Sequence, residues 1–437
     1  MNTIKTEYLE ERFNELLSAQ PESKLKSWQK EGFQTFTKVG LPTLKNEEWK
    51  YTGISRLFTR DFSIPSKGTE SISREIVEKA AMPGASAMNH LVFLNGKLNL
   101  ELSTYKKSDD FEICTLEEAY NGRYKDDVEA YFNKSSLVSK DGIHALNVSF
   151  MNDSVFIKVN KGHEVSMPVY FNHIFDATHN HLLASPRSLV IVEEAAKVEI
   201  IESYYTHGSM DSFSNEVVEI IAKENCQIEA YKIQNDTPNG NHVGTTHIRQ
   251  IGKCLVNTVT ISLNGGMIRN NTDIIMEKDA NEAHMYGLYF LKGHTHVDNH
   301  TLVDNTKPLC FSNELYKGII DDYATGVFSG KIIVRPDAQK INAYQSNKNI
   351  LLSPTGTINT KPQLEIYADD VKCSHGCTVG RLDEEALYYL RARGINKDLA
   401  KSMLLKAFAD DIVMHIKIEA VKEYVESLIA ERLQLHD

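Results

Sequence analysis

The sequence predicts a mainly β protein, a right-handed parallel β-helix (β-solenoid) between an N-terminal and a C-terminal helical region. Helical periodicity covers most of the first 150 residues, short β-type runs replace it up to residue 383, and helical periodicity then returns. A pattern also repeats through the middle region, as in stacked repeat proteins. We therefore expect an N-terminal region over 1–147, mostly helical with a short hairpin, a β-helix core over 148–378 and a C-terminal helical domain over 379–437.

The N-terminal region shows two helices and a hairpin. Apolar residues such as Tyr8, Phe13 and Leu16 recur at helical spacing and predict two helices between residues 4 and 38. Residues 90–103 form two short runs around Asn95-Gly96, which is typical of a β-hairpin. Residues 115–138 predict another helix. The opening segment is acidic and amphipathic, so we expect neither a signal peptide nor a transit peptide.

The middle region repeats an apolar run, a polar corner and a second short strand. The steps between corners range from 26 to 32 residues, and no helix intervenes, which favours a solenoid of seven stacked coils. A β-sandwich would instead show antiparallel hairpins every 8 to 12 residues or so. The preference for right-handed crossovers favours a right-handed coil. Cys226 and Cys254 are predicted to be buried corner residues. The seven corner positions are assigned to Ala196, Cys226, Cys254, Ala280, Leu309, Ala338 and Asp370.

Three helices are predicted after the solenoid. Asp383 and Asn396 are suited to N-cap the first two, and the third extends to Leu433. The second helix has a wide apolar surface, which either packs on the end of the solenoid or contacts another protein. This surface includes Leu399, Met403, Leu404 and Phe408.

Bulk properties exclude some functions. The net charge of −11 argues against non-specific nucleic-acid binding, which depends on a basic surface. No window approaches the ~20 apolar residues of a membrane span, so we expect no membrane association. Six cysteines are scattered along the chain and only Cys373 and Cys377 are close, which favours a reducing cytoplasm.

The segment KCSHGC contains the most informative side chains, at the point where the repeat stops. Cys373, His375 and Cys377 occupy alternate positions, so on a strand all three point to the same side. Thiolate and imidazole are ligands for zinc and for iron–sulfur clusters. Neighbouring Lys372 and a protonated His375 are expected to favour the thiolate. The same residues could instead form a tight end turn. Structural zinc sites need four ligands, and no second cysteine pair is present.

Two other groups of polar residues have open interpretations. His294, His296 and His300 share strand parity, so they either bind a metal or lie along a solvated or packed face. Corner carboxylates are expected at Glu314, Asp321 and Asp322. No GxxxxGK[ST] loop is present, so the chain is not expected to hydrolyse ATP itself.

Long strings in the sequence resemble the SufB/SufD family of iron–sulfur cluster assembly scaffolds, and within it the SufD branch. The strings are GLPTLKNEEWKYT, VDNHTLVDN, ELYKGIIDDYATGVFSGKI, QKINAYQSNKNILLS, KPQLEIYADDVKCSHG and LRARGI. The resemblance implies a non-catalytic scaffold, not an enzyme, in the SUF system. It implies that this scaffold pairs with a SufB subunit and docks a SufC ATPase on its C-terminal helices, here through the apolar residues named above. It also implies that a nascent cluster forms at the SufB–SufD interface, which Cys373 and His375 face.

The resemblance leaves some questions open. The family usually has alanine at the position of Cys377, so that residue inherits no role. We expect an iron–sulfur cluster only in the complex, no cofactor in the isolated chain, and a homodimer when the chain is alone, because the exposed rim can pair with its own copy. The alternatives are a SufB-like paralogue that acts as a homodimeric scaffold, or a carbohydrate-active β-helix enzyme with paired carboxylates in an aromatic-lined groove.

Overall fold

The computed structural model describes residues 6–65, 72–151 and 154–435. Within these ranges the chain is mainly β and forms a β-solenoid of about eight turns, flanked by helices on both sides in sequence. The predicted fold class is therefore confirmed. The repeat accounts for only seven coils, because strands that precede the first recognisable copy also join the solenoid. How the chain divides into domains stays a prediction.

Two sheets form the walls of the solenoid, and each full turn contributes one strand to each sheet. Neighbouring strands within each sheet are parallel, except for the antiparallel pairs β1–β2 and β3–β4. Sheet 1 contains, in spatial order, β3 (Phe111–Thr115), β4 (Val155–Val159), β7 (Arg187–Val192), β9 (Ser212–Ala222), β11 (Gly240–Gln250), β13 (Met267–Met276), β15 (His296–Asn305), β17 (Thr325–Val334) and β19 (Thr357–Ile366), with β6 (Leu182–Ala184) beside β9. Sheet 2 contains β2 (Lys97–Thr104), β1 (Asn89–Leu94), β5 (Val169–Ala177), β8 (Lys197–Gly208), β10 (Gln227–Asn235), β12 (Leu255–Asn264), β14 (Glu282–Leu291), β16 (Phe311–Ile320), β18 (Ile341–Leu351) and β20 (Val371–Gly380).

The lumen between the sheets holds the main apolar core. Alternate residues of each strand point inward, and aligned residues of successive turns stack in columns. Val198, Ile228, Val256 and Ala283 form one such column in sheet 2, and all four are buried. Burying a side chain the size of valine or isoleucine contributes about 1.5 to 3 kcal/mol, so the columns are a main source of stability.

The corners of the coil are partly as predicted. Cys226 and Cys254 are buried immediately before aligned strand starts, which confirms their packing role. In the next two turns the buried corner residues are Asn281 and Cys310. The assignments to Ala280 and Leu309 are wrong by one residue, because both adopt the left-handed turn conformation that precedes the corner (φ 57° and 65°). The last two assignments also fall before the aligned positions. Ala338 lies three residues before Ile341, and Asp370 lies one residue before Val371.

The helices differ from the prediction in the N-terminal region. The hairpin β1–β2 is confirmed, as are two N-terminal and three C-terminal helices; residues 4 and 5 lie outside the described ranges. Most residues of 115–138 are helical as expected, but they form two short α-helices and a 3₁₀ helix, Leu116–Asn121, Lys125–Tyr131 and Lys134–Leu137, rather than one helix. A further helix, Gly142–Phe150, is buried at every position, so it has no exposed face to mark a helical period. The helices are α1 (Glu7–Ser18), α2 (Lys24–Val39), α3 (Arg74–Ala80), α4 (Leu116–Asn121), α5 (Lys125–Tyr131), α6 (Gly142–Phe150), α7 (Glu384–Ala392), α8 (Lys397–Val413) and α9 (Glu419–Leu433).

The helices cover the outer faces of the sheets. Ile143 and Leu146 of α6 share a cluster with Phe213 and Val243 of sheet 1. Helices α8 and α9 pack in the same way on the outer face of sheet 2. We call the end of the solenoid formed by β2 and β3 the closed end, and the end formed by β19 and β20 the open end. Among the described helices, none is both long and apolar enough to cross a bilayer.

Candidate functional site

Strand β20 forms the last rung of sheet 2 at the open end. It pairs in parallel with β18 on one side, and no described strand pairs with its other side. The edge therefore presents unpaired backbone groups, which can pair with another chain.

Cys373, His375 and Cys377 share the face of β20 that continues the lumen. They are aligned with Ala343, Gln345 and Asn347 of β18, which are all buried. Because no further rung lies above β20, Cys373 is only half-buried, and His375 and Cys377 are exposed. The structure thus brings the three side chains to one side of one strand and leaves them accessible at the end of the solenoid.

The ionisation of Cys373 differs from the expectation. Strand alternation places Lys372 on the opposite face from Cys373. Burial raises the pKa of the Cys373 thiol above its usual value. The thiolate is therefore disfavoured in the isolated chain, and the expected help from Lys372 is not supported by the geometry.

One chain supplies an incomplete set of metal ligands at this end. Throughout the described ranges, no group of three or more His, Cys, Asp or Glu side chains converges where it could hold a metal ion. A structural zinc site needs four ligands. Within the described residues, Cys373 and His375 therefore offer only part of a coordination shell.

The histidine row does not form one face. His294 lies in the turn before β15 and stacks on Tyr323 at 5.3 Å between ring centroids. His296 contacts Thr52 Oγ1 at 2.9 Å, and His300 lies 3.0 Å from an oxygen of Asp298. These contacts favour the packed-face interpretation of the row.

One expected corner carboxylate lies inside the lumen. Asp322 occupies a left-handed turn between β16 and β17, as a corner residue would. Glu314 instead lies on the inner face of β16 and is buried, and burial raises its pKa to about 7. It accepts a hydrogen bond from Gln345 Nε2 at 2.7 Å. Sequence reasoning placed Glu314 at a corner and missed Gln345, although alternating polar residues in INAYQSNKNI were a possible signal of a polar lumen.

The predicted docking residues of α8 lie in two environments. Leu399 and Met403 are exposed by 43% and 42%, and Leu404 is partly exposed. Phe408 packs against the solenoid, where the Lys317 ammonium lies 4.0 Å from its ring centroid. The other face of α8 buries Leu405, Ala409, Ile412 and Val413 against sheet 2. The helix therefore packs on the side of the solenoid and also leaves part of its apolar surface free.

Comparison with known proteins identifies the family. The family model "SUF system FeS cluster assembly, SufBD core domain" matches residues 174–408, and "SufBD protein N-terminal region" matches residues 3–171. An iron–sulfur cluster assembly SufBD family protein of Synechocystis sp. is 30% identical over 90% of this chain and 87% of its own length. The iron–sulfur cluster assembly protein SufD of Escherichia coli is 28% identical over 92% and 91%, and SufD of Bacillus subtilis is 28% identical over 71% of each chain. The chain therefore belongs to the SufB/SufD family of the SUF system for iron–sulfur cluster assembly and is SufD-like.

Proposed function

We propose that this chain is a non-catalytic scaffold subunit that pairs with a SufB subunit through its open end and contributes Cys373 and His375 to a nascent iron–sulfur cluster. One observation supports this above all: a thiol and an imidazole lie on a terminal strand that has one free edge, and too few ligands converge there to complete a metal site within the described residues. A complete shell within one chain would retain the cluster. A shell that two chains share can open when they separate.

Replacement of His375 tests this proposal. The complex should be reconstituted anaerobically with a SufB subunit and a SufC subunit, and its iron and sulfide content measured. His375→Ala should abolish cluster formation without changing complex assembly, because the imidazole is exposed and supports no core. Ser374→Ala is the matched control, since it changes the opposite face of the same strand. Wild-type iron loading in His375→Ala would contradict the assignment.

The apolar surface of α8 is proposed to dock the SufC ATPase, which would supply the ATP hydrolysis. The exposure of Leu399 and Met403 on a helix whose other face is fixed to sheet 2 supports this role. Met403→Glu should weaken SufC binding at least about 10-fold, because a charge would be buried in the interface. Met414→Glu, at an even more exposed position just after α8, should have no effect. Equal SufC affinity in both variants, measured by calorimetry, would argue against docking at this surface.

The isolated chain is proposed to form a homodimer through the same open end, because a free strand edge can pair with its own copy. Light scattering tests this state directly: a monomer at micromolar concentration would contradict it. A cluster is proposed only for the complex, and the reducing cytoplasm remains the expected location.

A further inference from the structure

Gln345 lies directly beneath His375 in the lumen. The two residues are aligned in the parallel pair β18–β20, which places their side chains one rung apart, about 4.8 Å. Gln345 is only 3% exposed, whereas His375 is exposed above it. The amide therefore forms the polar floor of the candidate ligand site.

The nitrogen and the oxygen of the Gln345 amide differ in their hydrogen bonding. Nε2 donates to the Glu314 carboxylate, one rung further down, at 2.7 Å. Oε1 is buried and has no hydrogen-bond partner among the described residues. Buried polar atoms are nearly always paired, so an unpaired acceptor next to a proposed ligand requires an explanation.

The facing strand leaves space for the amide. A Cβ atom added to Gly330 of β17 would lie 2.4 Å from Gln345 Nε2, so glycine at this position accommodates the side chain as it crosses the lumen. When Glu314 is ionised it can only accept hydrogen bonds, so Nε2 faces it and Oε1 is the atom left for a further donor. His375, aligned with Gln345 one rung above, carries a ring N–H that can serve as this donor.

We propose that Gln345 is a positioning residue for His375: its Oε1 accepts a hydrogen bond from the ring N–H that does not face the metal, and Glu314 holds the amide in that orientation. Histidines that bind metals usually donate their second N–H to such an acceptor, which fixes the tautomer and the ring plane. A neutral amide, in contrast to a carboxylate, leaves the imidazole a weaker ligand, which suits a cluster that must be passed on. This inference rests on the proposed ligand role of His375.

Two readouts test the proposal. The first readout is the tautomer of His375 in the full-length chain labelled with ¹⁵N-histidine. Long-range ¹H–¹⁵N spectra report the tautomer, and the loss of the signal in His375→Gln assigns it to this residue. The wild type should show one dominant tautomer, and Gln345→Leu should show the mixture of a free imidazole. The second is the iron affinity of the reconstituted complex, which Gln345→Leu should lower about 10-fold. Ser346→Ala, on the outer face of β18, is the matched control and should change neither readout.

An exchange of the two polar residues provides a rescue. The double variant Glu314→Gln with Gln345→Glu keeps the buried pair but places a carboxylate acceptor under the ring, so it should restore one tautomer and raise iron affinity to at least the wild-type level. If Gln345→Leu does not fold, this double variant replaces it in both measurements. Iron affinity in the exchange variant as low as in His375→Ala would overturn the proposal.

The two levels of inference can fail separately. If His375→Ala lowers iron affinity but Gln345→Leu changes neither the tautomer nor the affinity, the positioning role is wrong and the proposed function stands. If His375→Ala itself leaves iron affinity unchanged, the proposed ligand role fails, and the positioning role fails with it.

Discussion

The two ends of the solenoid are built differently. At the closed end each sheet terminates in an antiparallel strand, β2 or β3, that is contributed by the N-terminal region. At the open end both sheets stop at parallel strands, β19 and β20. The outermost strands at both ends pair with no described strand on their outer side. The edges at the open end are longer, because β19 and β20 have ten residues each, whereas β2 has eight and β3 has five. Natural proteins usually protect long exposed strand edges, so the open end is the end for which a partner is expected.

The largest effect expected from this difference concerns association. Val379 on β20 is 46% exposed at the open end, and Leu100 on β2 is 58% exposed at the closed end. Val379→Glu should weaken binding of the SufB subunit about 1000-fold, because an unpaired charge buried in an interface costs about 4 kcal/mol. Leu100→Glu should leave the affinity unchanged. If both substitutions weaken binding equally in titration calorimetry, the two ends do not differ in the way described here.

A somewhat smaller effect is expected on stability. Ile228 is fully buried in the middle of the lumen, whereas Ile358 on β19 is only half-buried at the open end. Ile228→Ala should lower the free energy of unfolding by about 3 kcal/mol. Ile358→Ala should cost about 1 kcal/mol in the monomer, and more when a partner or a second copy covers the rung. Urea unfolding of both variants, below the concentration at which the chain dimerises and in complex, measures this difference. A loss for Ile358→Ala in the monomer as large as that for Ile228→Ala would contradict it.

The smallest predicted effect concerns two carboxylates in the lumen. Burial disfavours ionisation of both, but His173 and Lys232 hold the pKa of Glu216 below its usual value, in the half nearer the closed end. Nearer the open end, no ion pair to Glu314 is found among the described residues, and burial raises its pKa from 4.5 to about 7. A carboxyl whose pKa is higher in the folded state stabilises the fold below pH 4.5, and this contribution is lost as pH rises through 7.

Glu314→Gln should therefore gain stability relative to the wild type between pH 5 and pH 8, by at most about 3 kcal/mol. The measurement is the difference in urea midpoint between the two proteins at each pH, which cancels the titration of other groups. A difference that stays constant with pH would mean that Glu314 is ionised in the fold at both values.

Periodicity predicted the solenoid, because stacked coils force aligned residues such as Cys226 and Cys254 into equivalent buried environments. It did not predict α6, because every residue of this helix is buried. It also placed one corner at Ala280 instead of Asn281, because the residue that occupies this inward-facing corner is polar. Alternation correctly grouped Cys373 with His375. The same alternation places Lys372 on the other face of β20, which already argues against its stabilising the thiolate of Cys373.

The polar lumen beneath the site was less accessible to sequence reasoning. Gln345 and Glu314 belong to strands that are 31 residues apart in the chain, and only the register shows that they stack under His375. The position of the open end also depends on the pairing of β2 with β1 and of β3 with β4 at the other end. No local sequence pattern predicts these pairings. The family resemblance supplied the functional expectation, and the geometry supplies a physical basis for it.

The central claim is that the open end offers an incomplete ligand set that a second chain completes. The most direct measurement is pulsed electron paramagnetic resonance on the reduced cluster of the reconstituted complex, with ¹⁵N-histidine only in this subunit. The account predicts a ¹⁵N coupling of directly bound imidazole that disappears in His375→Cys, which keeps a ligand for the cluster at this position. A fully formed cluster without any ¹⁵N coupling from this chain would contradict it.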